Sequence, residues 1–585
     1  MLPSHLKRYI VSQDYGRYTP VDQAVWRYIM RQLVSFLSVN AHECYREGLK
    51  KSGISIDRIP QIDEMGNKLS EFGWVTVPVS GFIPPAAFME IQAFGYLPVA
   101  ADLRTVDHIM YTPAPDIVHE AAGHAPILVD PEYAAYLKSY AQVAAKAIIS
   151  HHDMAQYEAI RALSDLKEDP SSTTEQIKNA EDALTLVNDS ITDISEAALL
   201  GRMNWWTAEY GLIGTLEQPR IYGAGLLSSI GEARSCLGPS VVKLPLTVDC
   251  INYTYDITEK QPQLFVTPDF AHLRVVLDEL ADRMAFRRGG VEGLEKARKA
   301  QTVNSVELES GLQISGKLKS YEANGQTVAY VQFEGPSQLS IGGKEIKGHG
   351  IQYHADGYGS PLGQLEGFAK PLTQMSDEDL VKISFKPGSK KQIRFTSGVV
   401  VEGKIEELIR HPETGALILV GWKDCRVSLG DRVLFDPSWG TFDMAVGSHV
   451  TSVFGGPADR RAYGETDDFV AKVIPRKPFT PIMQYKHELY QAVRTFREKM
   501  EAWPASTSVT QKAVASEQLE QIYSKLEAEF PHDWLLRLEI LELAQQLPSD
   551  SWRPRVELDL RNMSEKDAQV AEHIADGVKV FGQRF

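Results

Sequence analysis

The sequence predicts a multidomain protein with a mostly α-helical first half, a β-rich domain and a small C-terminal helical module. Its 585 residues exceed what one hydrophobic core usually serves and suggest two to four domains. Apolar residues recur every three or four positions in the first half, as in DQAVWRYIMRQLVSFLSVNAHECYREGL, whereas the middle contains short alternating runs such as VAYVQFEG and ALILVGW. Helical periodicity returns from Pro478 onward, for example in WLLRLEILELAQQL.

These changes of pattern predict the boundaries of the domains. They are a helical domain at 1–290, a charged linker at 291–300, a β-rich domain at 301–475 and a helical module at 476–585.

Local signals add detail inside these domains. Residues 150–196 are polar and charged and are interrupted by Asp169-Pro170-Ser171-Ser172, which predicts a protruding helical hairpin with that run as its turn. Asn324-Gly325 predicts a β-hairpin turn, and residues 411–415 predict a second tight turn between strands.

Composition limits the class of protein. Hydrophobic residues make up 43% and charged residues 24% of a chain whose mean hydropathy is −0.23, as in a globular protein. The first residues lack the apolar core of a secretory peptide, and prolines interrupt the most apolar long stretch, residues 75–101, so we expect no membrane span. Four cysteines without a CxxC pair fit a reducing cytoplasm. A net charge of −16 disfavours nucleic acid as a partner, and the oligomeric state stays open.

The motif most indicative of chemistry is TPAPDIVHEAAGHAP, which places His119 and His124 close together. Residues five apart in an ideal helix are separated by about 140° around its axis. The two imidazoles therefore converge on one ion only if the helix distorts or ends between them, and Gly123 lies where that could happen. Zinc peptidases use a four-residue step instead, which weakens that interpretation.

Two histidines leave a first-row metal short of ligands. A carboxylate from a distant segment would complete a facial triad with open positions, which suits iron(II) and oxygen. In a regular helix Glu120 points away from the histidines, so Glu209 in NWWTAEYGL is the better candidate. Each residue could also be an ordinary hydrogen-bonded group, and a zinc hydrolase with Glu120 as general base remains an alternative.

Three ordered segments resemble the pterin-dependent aromatic amino acid hydroxylases, and in particular their bacterial phenylalanine-hydroxylating members. MYTPAPDIVHEAAGHAP is similar to the iron-binding signature, NWWTAEYGL to the glutamate-ligand segment, and IYGAGLLSSIGEARSCL to the glycine-rich segment that follows. The resemblance covers residues 15–288 and implies that residues 1–290 form an iron- and pterin-dependent catalytic domain with an insertion at 150–196.

The resemblance also implies residue roles. The iron ligands are His119, His124 and Glu209. Arg104 pairs with the substrate carboxylate, Asp116 holds Arg104, and Ser228 orients a ligand histidine. The other residues around the amino acid substrate are Thr112, Trp205, Tyr210 and Gly225, and those beside the pterin are Gly81, Ile83, Phe88 and Glu120. One departure is Asn204, which replaces a tyrosine common in the family and leaves the pterin-side wall undetermined.

The implied reaction uses iron(II), tetrahydrobiopterin or a related tetrahydropterin, and O2 to hydroxylate an aromatic amino acid. Phenylalanine is favoured, because Ile257 stands where tyrosine-hydroxylating members carry an aspartate. An alignment shifted by one residue would place Asp256 there, so tryptophan and tyrosine remain alternative substrates. Residues 301–585 carry no functional motif and could form a binding module.

Overall fold

The fold is that of a computed structural model of the full chain. It describes residues 2–80, 83–110, 115–168, 172–255, 260–368, 370–464, 478–504, 506–548 and 551–581.

The first half is mainly helical, as the periodicity predicts. Its described α-helices are α1 (Pro20–Asn40), α2 (Cys44–Lys51), α3 (Ile62–Leu69), α4 (Pro85–Ala93), α5 (Ala125–Ile127), α6 (Pro131–Ala144), α7 (His151–Glu168), α8 (Thr174–Ser190), α9 (Glu196–Asn204), α10 (Ala224–Leu227), α11 (Ile230–Cys236), α12 (Phe270–Ala281), α13 (Ala285–Arg288) and α14 (Gly290–Ala300). Two π-helical turns cover His119–His124 and Trp205–Glu209.

Two small sheets accompany these helices. Strands β1 (Val75–Val79) and β2 (Tyr96–Ala100) pair in parallel. The second sheet has the order β4-β3-β6-β5 and is made of β3 (Leu212–Gly214), β4 (Pro219–Ile221), β5 (Val242–Pro245) and β6 (Gln263–Thr267).

Helix α1 lies at the centre of this half. Thr19 and Asp22 form a reciprocal capping box at its start, which satisfies backbone donors that a helix leaves unpaired. Trp26 and Ile29 are completely buried, and most of the helix is enclosed by neighbouring elements.

Residues 150–196 contain the two helices α7 and α8. A hydrogen bond of 2.7 Å from Gln156 to Asn188 and an ion pair of 3.0 Å between Lys167 and Glu181 hold them side by side, as expected for a hairpin. In the predicted turn, residues 169–171 lie outside the described residues.

The predicted linker at 291–300 is instead part of helix α14. Its Leu294 and Ala297 are fully buried and share a core with Val306 and Val453 of the β-rich region. Apolar residues spaced three apart give the segment a helical face that covers a sheet, so its charges mark a solvated face rather than a flexible connection.

The β-rich region contains two antiparallel sheets. One has the order β10-β9-β8-β7-β17 with β11 beside β9, and the other has the order β12-β13-β14-β15 with β16 beside β14. The strands are β7 (Val303–Leu308), β8 (Leu312–Asn324), β9 (Thr327–Ile341), β10 (Lys344–Glu345), β11 (Gly357–Pro361), β12 (Lys390–Arg394), β13 (Val399–Arg410), β14 (Leu417–Leu429), β15 (Arg432–Phe435), β16 (Phe442–Ala445) and β17 (Val450–Gly455), with short helices α15 (Asp377–Lys382) and α16 (Arg460–Tyr463).

Both predicted turns between strands are confirmed. Asn324 pairs with Thr327 across the turn that joins β8 to β9, and Gly325 has a positive φ of 60°, which suits a glycine. Arg410 pairs with Leu417 across the turn that joins β13 to β14.

The C-terminal helices do not form a separate module. They are α17 (Pro481–Glu501), α18 (Val509–Glu529), α19 (Trp534–Ala544), α20 (Arg553–Lys566) and α21 (Ala568–Lys579). Leu535 and Ile540 of α19 belong to the same buried core as Trp26 of α1. The Tyr28 hydroxyl donates to the His573 carbonyl at 2.8 Å, so α1 packs against α19 and is hydrogen-bonded to α21.

A buried ionic cluster strengthens this contact. Glu542 of α19 pairs with Arg27 at 3.1 Å, with Arg497 at 2.8 Å and also with Arg31. Periodicity predicted the C-terminal helices but not their partner, because an amphipathic face does not specify what covers it. Among the described helices, none has both the length and the apolar character needed to cross a bilayer.

Candidate metal and active site

A π-helical turn brings His119 and His124 together. The Ala125 N–H bonds to the Glu120 carbonyl, the five-residue step of a π-helix, so residues five apart stand near one another on successive turns. The two ring centroids lie 5.0 Å apart. The helix therefore distorts in the segment that contains Gly123. The sequence predicted that the two imidazoles converge only if the helix distorts or ends there.

Glu209 completes the cluster from a second π-helical turn. Its Oε2 lies 3.3 Å from His119 Nε2 and its Oε1 lies 3.2 Å from His124 Nε2. Ligand atoms that each lie about 2.0–2.2 Å from one ion are roughly 3 Å or slightly more apart. The three side chains therefore have the spacing of a shared first-row metal ion.

The burial of the three side chains is unequal. His124 is 3% exposed, whereas His119 is 17% and Glu209 is 16% exposed, so the cluster is open on one side. Burial alone would raise the pKa of Glu209, but the facing His124 and His119 outweigh it and hold that pKa well below its ordinary value. The carboxylate is therefore the anionic member of the set.

Glycines allow the two π turns to approach closely. A Cβ on Gly123 would lie 2.6 Å from the Ala224 carbonyl oxygen, and a Cβ on Gly225 would lie 2.8 Å from a ring carbon of Tyr210. The glycine-rich segment thus packs directly against both halves of the cluster. Gly225, which resemblance assigns to the substrate site, has a packing role in this structure.

Ser228 orients His119. The Ser228 hydroxyl donates to the Ala224 carbonyl at 2.7 Å and lies 3.1 Å from His119 Nδ1. A hydroxyl has one proton to donate, so Nδ1 is the donor to this oxygen. That tautomer leaves the lone pair on Nε2, which faces Glu209 and the metal position.

Arg104 and Asp116 form a buried pair beside this serine. Arg104 Nε and Nη2 donate to the two Asp116 oxygens at 2.8 and 2.7 Å, and Nη1 donates to the Ser228 carbonyl at 3.2 Å. Burial raises the pKa of Asp116, but the opposing effect of Arg104 and of two backbone N–H donors is larger. The pKa of Asp116 therefore lies below its ordinary value. A guanidinium has five N–H groups, and three are used in these bonds. The other two have no acceptor among the described residues and are suited to another one, such as a substrate carboxylate.

Aromatic rings form a slab next to Glu209. The Trp205 ring stacks on Tyr210 at 4.4 Å and on Tyr255 at 4.3 Å between centroids. The Tyr210 hydroxyl bonds to Glu232, which fixes one end of the stack. The buried Trp205 Nε1 has no hydrogen-bond partner among the described residues.

Glu120 does not point away from the histidines, contrary to the expectation from a regular helix. One ligand atom from each of His119, Glu120 and His124 lies within 4.8 Å of the others, because a π turn changes the angular position of each residue. Burial raises the pKa of Glu120 to about 8, and its Oε2 has no hydrogen-bond partner in the described part of the chain.

The residues assigned to the pterin are only partly described. Ile83 is buried and Phe88 is partly buried in an apolar cluster with Leu2, Leu6 and Tyr9. Gly81, Thr112, Asp256 and Ile257 lie outside the described residues.

Sequence reasoning missed Tyr133 and Glu90. The Tyr133 hydroxyl is fully buried without a hydrogen-bond partner in the described part, and burial followed by the charge of Glu209 raises its pKa well above the ordinary value. Glu90, on the helix that carries Phe88, pairs with His5 at 2.8 Å and with Arg460 of the β-rich region at 3.3 Å. Both positions look like ordinary helix residues in the sequence, so no local signal identifies them.

Comparison with known proteins places this site in a family. Residues 11–153 and 183–291 match the model of the biopterin-dependent aromatic amino acid hydroxylases. A phenylalanine-4-hydroxylase of Chromobacterium violaceum is 30% identical over 297 residues, which are 48% of this chain and 84% of that relative. One from Mesorhizobium japonicum is also 30% identical, over 50% of this chain and 88% of the relative. The chain belongs to this family.

Solved structures of biopterin-dependent aromatic amino acid hydroxylases are also similar to it. The phenylalanine hydroxylase of Chromobacterium violaceum with bound oxidized Fe(III) has a TM-score of 0.37 and 27% identity, over 48% of this chain and 89% of that chain. The hydroxylase family model leaves residues 154–182 unmatched, and this gap falls inside the α7 and α8 hairpin.

Proposed function

We propose that this hydroxylase is a phenylalanine 4-monooxygenase, which converts L-phenylalanine to L-tyrosine with O2 and tetrahydrobiopterin at a non-haem iron(II) site. The observation that carries the proposal is the convergence of two histidines and one carboxylate, with 3.2 and 3.3 Å between facing atoms, in a member of this family. Relatives that match along most of their length are named phenylalanine-4-hydroxylases, which favours phenylalanine as the substrate.

The proposed iron ligands are His119, His124 and Glu209. Two imidazoles and one carboxylate suit iron(II), and three protein ligands leave coordination positions for other molecules. Tetrahydrobiopterin and iron(II), when bound, together supply the reducing chemistry that activates O2. Ser228 supports the arrangement, because its hydroxyl keeps the His119 lone pair on the nitrogen that faces the metal position.

The proposed role of Arg104 is to hold the carboxylate of the amino acid. Asp116 fixes the guanidinium in place through two hydrogen bonds. The two remaining N–H groups of this guanidinium would then donate to the substrate carboxylate from a fixed position. A fixed carboxylate limits the positions that the aromatic ring can take relative to the metal, and such positioning accounts for much of the rate.

The remaining assignments complete the proposed pocket. Trp205 and its stacked neighbours form an apolar wall that excludes water from the ring. The proposed substrate residues besides Arg104 and Asp116 are Thr112, Trp205, Tyr210 and Gly225. The proposed pterin residues are Gly81, Ile83, Phe88 and Glu120, with Phe88 as the ring that stacks on the cofactor.

The alternatives have less support. A zinc hydrolase with Glu120 as base does not agree with family membership. Tryptophan and tyrosine hydroxylases would use the same three ligands, but relatives matched over 81–88% of their own length are named phenylalanine-4-hydroxylases.

For the domain layout, we propose a catalytic unit at 1–290 with an insertion near 150–196. We also propose a cytoplasmic location, which is supported by four cysteines that all remain free thiols.

The test is an assay of the full chain, loaded with iron(II) without oxygen and then given tetrahydrobiopterin, air and each aromatic amino acid separately. We expect tyrosine from phenylalanine, with oxygen uptake that depends on the pterin. Faster hydroxylation of tryptophan or tyrosine would contradict the substrate assignment. Product formation without pterin or iron would contradict the proposed reaction.

A further inference from the structure

A second cluster of metal-binding side chains lies in the β-rich region, outside the proposed hydroxylase site. His349, His354 and Asp443 each offer one ligand atom, and these atoms all lie within 4.8 Å of one another. All three residues are buried, at 8%, 8% and 7% exposure. The two imidazoles contact each other and Asp443 accepts from the Tyr353 hydroxyl, so the three side chains form one polar cluster in the interior, where polar groups are unfavourable unless they are paired.

The distance between the two imidazoles suits a shared ion. His349 Nδ1 lies 3.3 Å from His354 Nε2. Two nitrogens that bind one zinc ion at about 2.05 Å with tetrahedral geometry are about 3.3 Å apart. The facing nitrogens are therefore already at the separation that zinc coordination requires.

The backbone holds both histidines firmly in place. The His349 carbonyl accepts from Leu339 N–H at 2.9 Å, and the His354 carbonyl accepts from Ser337 N–H at 3.0 Å, so both histidines are tied to strand β9. Asp443 lies in strand β16 of the other sheet, and its carbonyl accepts from the Tyr358 hydroxyl at 2.8 Å. An ion bound by the three side chains would join the two sheets.

The charges around the cluster favour a cation. The charged side chains that act on His349 and Asp443 are Glu345 and Glu407, and both are acids.

We propose that His349, His354 and Asp443 bind a divalent first-row transition metal ion, with Zn²⁺ as the expected occupant, and that this ion joins the two β-sheets. Two imidazoles and one carboxylate match the ligand preferences of zinc, whereas Mg²⁺ and Ca²⁺ prefer oxygen ligands. The Tyr353 hydroxyl donates to Asp443 and so orients the carboxylate at the rim of the cluster. The cluster is more enclosed than the hydroxylase site, which indicates a structural ion.

The direct test is the number of ions bound by the full chain. The protein is stripped with a chelator, incubated with excess Zn²⁺, passed through a desalting column and analysed for zinc by mass spectrometry. We expect two ions per wild-type chain, because the hydroxylase triad also accepts zinc, and one ion per chain for His354→Gln and for Asp443→Asn. The matched control is His449→Gln, a substitution of a histidine whose side chain is 65% exposed, and it should still bind two.

A second measurement has a main arm in which the β-rich region is unchanged. In a Glu209→Ala chain, added Zn²⁺ should raise the thermal unfolding midpoint, because a ligand that binds only the folded state stabilises it. The same addition should leave Glu209→Ala/His354→Gln unchanged. A wild-type chain that binds one ion, or a Glu209→Ala chain that binds none and shows no shift with Zn²⁺, would overturn the proposal. Hydroxylase activity that survives His354→Gln would show that the lost ion is not the catalytic one.

Discussion

His119 and His124 are five residues apart, and so are His349 and His354, yet the backbone brings each pair together differently. The first pair stands on a π-helical turn, and the second lies in the connection between strands β10 and β11. In both cases the proposed third ligand is an acid from a distant segment. The spacing of histidines is therefore a weak signal by itself, because the local backbone decides whether two rings can face one ion.

The two clusters also differ in access. His124 is buried but His119 and Glu209 are only partly buried, whereas all three residues of the second cluster are buried. A catalytic metal needs an open position for substrate, and a structural metal does not. This difference predicts chemistry at the first cluster and stabilisation at the second.

The largest effect should come from removing the acid of each cluster in turn. Glu209→Ala should lower tyrosine formation by a factor on the order of 10³ or more, because the open site loses its anionic ligand. Asp443→Asn removes the charge of the acid in the closed cluster and should leave turnover within about twofold. Iron content and tyrosine formation measured on both variants check this. Full activity in Glu209→Ala, or a comparable loss in both, would remove the distinction between the clusters.

A smaller effect is expected from the residue that orients His119. Ser228→Ala should weaken iron binding roughly 10- to 100-fold, the usual consequence of losing a partner behind a ligand histidine. Competition with a chelator of known affinity measures the change, and circular dichroism shows whether the fold is retained. Ser229→Ala is a suitable control, because the hydroxyl of that serine contacts the Met110 carbonyl instead. Equal iron affinity in both variants would contradict the proposed role of Ser228.

Arg104 needs a gentler substitution than alanine. Removal of the guanidinium would leave the Asp116 carboxylate without its ion-pair partner in the interior. This would lower the free energy of unfolding by about 3–5 kcal/mol. Arg104→Lys keeps the charge but loses the fork, so KM for phenylalanine should rise about tenfold while iron content stays constant. Steady-state kinetics at fixed pterin concentration measure the rise. An unchanged KM would mean that the substrate carboxylate binds elsewhere.

The sequence predicted that His119, His124 and Glu209 converge, and the structure brings their facing atoms to 3.2 and 3.3 Å, while their role as iron ligands stays a prediction. Gly123 marked where the helix must distort, and the β-hairpin turn at Asn324-Gly325 followed from local preferences. The contacts of Glu542 with three arginines, two of them on α1, could not be predicted, because periodicity identifies a buried face but not the element that covers it. The second histidine pair was missed for a related reason: glycines flank His349 in KGHGIQYHADG, but no helical or strand periodicity in this segment indicates that the two rings face each other.

The smallest effect should come from the α7 and α8 hairpin, which separates what the family shares from what this chain adds. Replacement of residues 155–189 by a short glycine and serine linker removes few buried side chains, because none of the described residues in α8 is buried. It also leaves His151, whose ring contacts the Ala300 carbonyl at 3.2 Å, in place. Tyrosine formation should stay within about twofold and the unfolding midpoint should fall by only a few degrees, since exposed segments contribute little to stability. If activity fell tenfold or more while the fold and iron content were retained, the hairpin would belong to the catalytic unit, and the gap in the family match would mark a functional addition rather than a tolerated insertion.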